Sequence, residues 1–208
     1  MTIWYKITLF VENLEMAGRP KIFKEEEVLA EAIDLFWRNG YEATSTENLL
    51  DCMKLNKGSL YHSFGSKKQL FGRAMDLFTA NSLQALNRKI TAAATPLEGI
   101  RDFFLELADS DNDTHQKGCF MGNSLAELAN IDDELKQKAI LHLKALEKLF
   151  LKYILKAKQS GELTTKEEPG TLARYLLNLW NGINISRRIY PRKDLLLPVI
   201  RLQLAVLV

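Results

Sequence analysis

Lys57, Ser59, Tyr61 and His62 fall within six residues, with Gly58 among them and Lys67 and Lys68 close behind. Ammonium groups meet phosphates as point charges, and a phenol donates to a phosphate oxygen. A serine hydroxyl or an imidazole reaches base edges or the neighbouring backbone. Gly58 leaves room for a close backbone approach. Catalytic chemistry is not offered anywhere along the chain. His62, His115 and His142 are scattered, Cys52 and Cys119 make no CxxC and no metal-ligand spacing, and there is no Gly-rich phosphate loop. Catalytic residues, metal sites and cofactors are therefore not expected.

The elements that must hold these groups are short. Thr44 with Glu47 predicts a capping box at the start of one helix, with Ser45 and Thr46 at its tip and Leu49 and Leu50 on its apolar side. Asn56 predicts a second helix start, Gly65 a stop, and Ser66 with Gln69 a third start. Helices this short are not stable alone. A helix-turn-helix packed on neighbouring helices explains them, with Leu60 and Phe64 facing inward and the second helix offered to a DNA major groove. Ser45, Thr46, Lys57, Gly58, Ser59, Tyr61, His62 and Lys67 are the candidate DNA contacts. Lys67 and Lys68 gain from a helix N-terminus, which already favours phosphate. A helix over 25–38, with three glutamates in its first turn and Val28, Leu29, Ala32, Ile33 and Phe36 at a 3.6-residue period, would back the pair.

The run KGSLYHSFGSKKQLF, with AIDLFWRNGYEATS before it, resembles the signature of TetR-type (TetR/AcrR family) transcriptional regulators over roughly residues 18–78. Further on, KGCFMGNSLAEL and LWNGINISRRI are more weakly similar to family segments. The resemblance implies an all-α chain: an N-terminal three-helix DNA-binding domain (18–66), a linking helix (about 67–90), and a C-terminal helical domain (91–208) for effector binding and dimerisation. It also implies a homodimeric repressor on double-stranded operator DNA, released by a small molecule. One departure is Lys54, where the family usually places Gly in the turn. A non-Gly residue in the left-handed region costs on the order of 1 kcal/mol.

Composition agrees without insisting. The chain of 208 residues is 47% hydrophobic and carries a net charge of +2, enough for a substantial core but no bulk signal for nucleic acid. From Met16 to Gly72 eight Lys/Arg stand against eight Asp/Glu, so placement rather than total charge supports DNA binding. No apolar run is long enough to span a bilayer. The two distant cysteines suit a reducing cytoplasm. Residues 1–17 differ from the rest. Ile3, Tyr5, Ile7, Leu9 and Val11 alternate as in a strand, whereas Met16-Ala17-Gly18-Arg19-Pro20-Lys21 looks like a family opening. An upstream, non-native or flexible extension is expected, with an added strand or arm as the rival. Arg19 and Lys21 form a short basic arm that would meet DNA or merely solvent.

Beyond Thr95-Pro96 the expected elements are helices over 97–108, 118–129, 132–159, 168–190 and 194–206, with a polar loop at 109–116. The apolar content of 172–183 and 195–204 exceeds what two terminal helices would leave in water, which predicts a two-fold partner. Phe103, Phe104, Phe120, Met121, Leu125 and Trp180 are the candidate effector-pocket residues. With no buried charge cluster evident, the expected effector is apolar or amphipathic. Cys119 reads first as a small buried hydrophobe; near a helix start, with Lys117 and His115 close by, it is the alternative candidate for a redox or electrophile sensor if its thiol pKa is lowered. A helical dimeric interaction protein without DNA binding is the rival class, but it leaves the basic and hydroxyl groups of one short helix unexplained.

Overall fold

A computed structural model describes residues 24–208, and the expectations for residues 1–17 and for Arg19 and Lys21 lie outside them. Every regular element among the described residues is helical. The first four helices are α1 (Glu25–Asn39), α2 (Thr46–Met53), α3 (Lys57–Phe64) and α4 (Lys67–Ala92). Then come α5 (Pro96–Leu105), a single 3-10 turn (Glu106–Asp109), α6 (Asn112–Lys117) and α7 (Phe120–Leu128). The chain ends in α8 (Asp133–Gln159), α9 (Pro169–Ile189) and α10 (Lys193–Leu204).

The caps explain most of the boundaries. Asn56 Oδ1 accepts from Ser59 N at 2.8 Å, Ser66 Oγ from Gln69 N at 3.1 Å, and Asp132 Oδ1 from Leu135 N at 3.0 Å. One cap is displaced from expectation. The box at the start of α2 is Ser45 with Asn48, each side chain taking the other's backbone N–H at 3.1 Å. Thr44 is fully buried and its hydroxyl donates back to Gly40 O at 2.6 Å, so it cannot turn towards α2. Residues 109–116, expected as a loop, lead into and form most of a short helix. Asp111 Oδ1 accepts from Thr114 N at 2.7 Å and starts α6. Polarity alone reads as a loop, but an aspartate cap on a solvated turn of helix is just as polar.

Phe36, Leu49, Leu60, Phe64, Leu70 and Phe71 are all at most 3% exposed and close the N-terminal core. Phe36 meets Phe71 edge-on, with ring centroids 4.7 Å apart. Burying an aromatic ring in such a cluster removes it from water and adds a favourable edge-to-face contact. Leu60 and Phe64 anchor a helix that cannot hold itself, and so fix the direction in which its other face points. Lys54, between α2 and α3, takes φ 52° and ψ 40°. The turn therefore keeps the left-handed geometry despite the missing glycine.

α4, about 39 Å long by its 26 residues, runs from this core into the C-terminal one. It packs on α1 at one end and on α5 and α8 further along. α8 packs on α7 and α9, and α10 lies against α5, α9 and the 3-10 turn. At Gly99 a Cβ would stand 2.7 Å from Ile90 Cα, so only glycine lets α5 cross α4 this closely.

Candidate nucleic-acid interface and effector cavity

The face of α3 away from Leu60 and Phe64 carries Lys57, Gly58, Tyr61 and His62, all exposed, with Ser59 half-buried. Among the described residues no side-chain hydrogen bond or ion pair engages Lys57, Tyr61 or His62 within the chain. A Cβ at Gly58 would meet only Asn56 Oδ1, at 3.4 Å, an ordinary contact. Nothing inside the fold demands glycine there. Ser45 is exposed, but its hydroxyl oxygen already accepts in the α2 cap, while Thr46 is half-buried as the first residue of α2. Lys67 Nζ reaches Glu42 O at 3.4 Å and lies 4.5 Å over the Tyr41 ring, which draws it to the α1–α2 corner beside α3. Lys68, expected to favour a phosphate, is instead paired to Asp132 at 2.8 Å and Glu134 at 3.0 Å. It joins α4 to the start of α8.

The same corner is gripped from the C-terminal part. Both oxygens of Glu127, on α7, accept from Tyr41 N at 2.9 Å and Glu42 N at 2.8 Å. Lys117 Nζ lies 2.6 Å from Asp34 and 3.0 Å from Asp113, and Arg38 pairs with the same two aspartates. The Arg38 hydrogen bond holds the Asp113 carboxyl below its ordinary range. Trp37 Nε1 donates to Lys117 O at 3.1 Å. That segment is also tied to α9: Arg188 donates to Gln116 O and Lys117 O, and Arg187 Nη2 to Gly118 O at 2.8 Å. The link between the two parts is therefore wider than α4. Helices α6 and α7 connect α9 to the residues that lead into α2.

A cavity opens where these elements meet. Trp37, Phe78, Phe103, Phe120 and Trp180 give it aromatic walls, and Ser82, Cys119, His142 and Arg187 supply polar groups. It offers about 20 Å³ for the centre of a water-sized sphere, room for one or two waters. Of the six residues expected to line a pocket, Phe103, Phe120 and Trp180 do. Phe104 does not: one residue on from Phe103 it is turned by about 100° around the helix and stacks on Phe150, centroids 5.7 Å apart. Met121 is fully buried in packing, and Leu125 is half-buried against the core. Trp37 and Phe78 were missed because they belong to α1 and α4, which pattern alone assigns to the DNA-binding side.

Of two chemical expectations, the buried-hydrophobe reading of Cys119 matches its burial and the lack of a buried charge is corrected. Cys119 sits at the N-cap of α7, its sulfur accepting from Gly122 N and Trp180 Nε1 at 3.3 Å each. Burial nonetheless pushes the thiol up rather than down, against those hydrogen bonds. Lys117 is committed to two aspartates and His115 is buried, so neither assists it as expected. Second, the cavity does contain a buried charge. Arg187 is 1% exposed, and its Nε and Nη1 have no hydrogen-bond partner. Its position was readable in principle, because 176, 180, 183 and 187 share one helical face with Leu176, Trp180 and Ile183, all buried.

The apolar face proposed for a partner also changes membership. Leu172, Leu176, Ile183, Leu196, Ile200 and Leu204 pack inside the subunit. What α9 and α10 leave outside is Ile185, Ile189, Tyr190, Leu195, Val199 and Leu202, each about half exposed or more. Among the described residues no helix is long and apolar enough to cross a membrane.

Comparison with known proteins gives the same frame. Residues 28–74 match the family described as bacterial regulatory proteins, tetR family, and residues 96–201 match the tetracyclin repressor-like C-terminal domain. The uncharacterized HTH-type transcriptional regulator YezE of Bacillus subtilis is 35% identical over 76% of this chain and 83% of its own length. The HTH-type transcriptional repressor ComR of Escherichia coli is 28% identical over 82% of each. Among solved structures, a CifR cysteine mutant complexed with 26-base-pair operator DNA superposes with a TM-score of 0.76 at 23% identity, covering 89% of this chain and 98% of that one. Reduced NemR of E. coli gives 0.78 at 19% identity, covering 86% and 94%. These last two establish the fold only. With a capped helix-turn-helix, a free polar face on α3 and both domains matched, the chain belongs to the TetR family and is a DNA-binding transcriptional regulator, not an enzyme.

Proposed function

We propose that the chain is a cytoplasmic repressor that holds operator DNA as a homodimer and lets go when a small molecule occupies the cavity between α4, α5, α7 and α9. The observation that carries this reading is the division of α3. Leu60 and Phe64 are locked into the core, while Lys57, Tyr61 and His62 project outward with no partner in the described residues. Lys57, Tyr61 and Lys67 are assigned to phosphates, which set affinity and salt dependence. Ser45, Thr46, Ser59 and His62 are assigned to base edges or the adjoining backbone, which set operator choice. The DNA-binding unit is 18–66, α4 is the linking helix, and 91–208 binds effector and partner.

Two α3 helices reach successive major grooves only if they stand roughly 34–36 Å apart. The exposed row Ile185, Ile189, Leu195, Val199 and Leu202 supplies the two-fold contact, α9 and α10 of each subunit forming a four-helix interface. An effector acts through its unequal affinity for conformations with right and wrong spacing. Selection of bound duplexes from random DNA at modest ionic strength is the direct test. Enrichment of a palindromic site with half-sites about one helical turn apart is expected; retention of no sequence above background overturns the reading. Distances between α3 helices measured with and without effector check the spacing mechanism separately.

A further inference from the structure

We propose that the effector is a small amphipathic anion, a monocarboxylate with an apolar or aromatic body, whose charged end is received by Arg187. The inference rests on reading the cavity as the effector site and goes beyond it by naming the chemistry. Arg187 lies on the buried face of α9 and lines the cavity. Its Nη2 donates to Gly118 O at 2.8 Å, while Nε and Nη1 have no acceptor. No carboxylate pairs with it among the described residues. The charged or ionisable groups felt there are the Cys119 thiol, the buried His115 ring, whose protonation Arg187 disfavours, and the cation of Arg188, which repels it.

A guanidinium starts from so high a pKa that burial does not strip its proton at neutral pH. Burial does hold it down, to about 10, which still leaves it charged at neutral pH. Water in a space of about 20 Å³ would satisfy a donor but would not cancel the charge. An anion does both, with charge-assisted hydrogen bonds that are among the strongest available. The other walls set the rest of the ligand. Phe103 stacks on Trp180 with centroids 5.3 Å apart, and Phe78 meets Phe120 at 5.1 Å. They offer aromatic surface to an apolar body, while the buried His142 ring is neutral and adds no competing cation.

Position supplies a route to DNA. Gly118 O, which Arg187 holds, follows directly on Lys117, whose carbonyl takes Trp37 Nε1 and whose ammonium holds Asp34 of α1. A carboxylate that draws Arg187 towards the cavity pulls on this segment. A body larger than two waters also requires the aromatic walls to part, so the anion favours a wider conformation over this one.

The test uses the full-length protein and three matched probes with one six-carbon body: hexanoate, hexanamide and hexylamine, with 3-phenylpropanoate and its amide and amine as a second series. Binding is read by tryptophan fluorescence, since Trp37 and Trp180 both line the cavity, and by thermal shift. Carboxylates are expected to bind at least about tenfold tighter than amides, because the amide leaves the buried charge uncancelled. Arg187→Met should erase that preference, and Arg187→Lys should keep part of it. Amides or amines that bind as well as carboxylates overturn the anion while leaving the cavity as effector site. Failure of every probe at millimolar concentration overturns the anion together with the site. The comparison within the wild-type protein decides the matter even if the methionine variant does not fold.

Discussion

Among the described residues, α3 and the cavity are two very different places that hold polar groups with few or no partners inside the chain. On α3, Lys57, Tyr61 and His62 stand in solvent, where water serves every donor and the fold bears no penalty. In the cavity, Arg187 and His142 are 1% and 5% exposed. There a charge without a counter-ion is unfavourable by several kcal/mol. The first face therefore reports what the molecule can touch and says little about its stability. The second reports what the molecule lacks and must be felt in its stability. Within the cavity the two bases differ again. His142 meets burial by giving up its proton, whereas Arg187 cannot.

The largest effect expected from this contrast is a pH dependence centred on His142. Burial pushes its pKa down from 6.5 to about 4, and Nδ1 lies 3.1 Å from Thr79 Oγ1. Unfolding returns the ring to its ordinary value. Between these two values the unfolded chain binds the extra proton, so stability rises with pH and is lost as pH falls below 6.5. The full loss is on the order of 3 kcal/mol by pH 4, with about 2 kcal/mol already gone at pH 5. Urea unfolding of wild type and His142→Gln at pH 7 and pH 5 measures it. The variant should lose about 2 kcal/mol less across that step. Equal slopes would mean that His142 is solvated in the native state and that the cavity is wetter than its walls suggest.

On the exposed side the effect should fall on DNA and spare the fold. Lys57→Ala is expected to cost about 1–2 kcal/mol of affinity for every duplex and to lower the salt slope by about 1. Its unfolding free energy should stay within about 0.5 kcal/mol of wild type. Fluorescence anisotropy at several salt concentrations, beside urea unfolding, separates the two readouts. An unchanged slope would remove Lys57 from the phosphate contacts. Tyr61→Phe and Lys67→Ala should weaken binding in the same sequence-independent way, and Lys68→Ala should not, because its partners are Asp132 and Glu134.

Gly58 puts both readouts on one residue. An added methyl there would have only Asn56 Oδ1 near it, at 3.4 Å, so Gly58→Ala should raise stability by up to about 1 kcal/mol through helix propensity. The same methyl should weaken DNA binding by blocking close approach. A variant that binds DNA as well as wild type would show that the glycine has no part in the interface.

These contrasts also mark how far the sequence could be read. The boundaries of the helix-turn-helix were legible, since their signals are local: Asn56, Gly65 and Ser66 punctuate the chain and act within three or four residues of themselves. Two expectations in this region differ: the Thr44 hydroxyl turns back four residues to Gly40 O and leaves the cap to Ser45, and Lys68 is held by the distant carboxylates of Asp132 and Glu134. The cavity is assembled from helices more than a hundred residues apart, from Trp37 to Arg187. Aromatic content alone does not say which ring faces it, so adjacent Phe103 and Phe104 were both expected there and only one arrives. Arg187 did leave a trace, a charge on an apolar helical face, but a long arginine side chain on such a face can equally carry its charge out to water, and only packing decides.

The smallest effect tests whether the exposed region is as free of internal tension as its side chains imply. Lys54 is the non-glycine residue with positive φ among the described residues, at 52°. An L-residue there crowds its Cβ against the following carbonyl, which costs about 1–2 kcal/mol. Lys54→Gly relieves that contact but enlarges the freedom of the unfolded chain, which offsets part of the gain. A net stabilisation of about 0.5–1 kcal/mol in urea is therefore expected. Because the turn already holds the left-handed geometry, α3 should keep its direction and operator affinity should be unchanged at high salt, where loss of the lysine charge is screened. A destabilised variant would mean that the Lys54 side chain supports the turn by contacts that outweigh its backbone strain, and the exposed face would then carry an energetic role of its own.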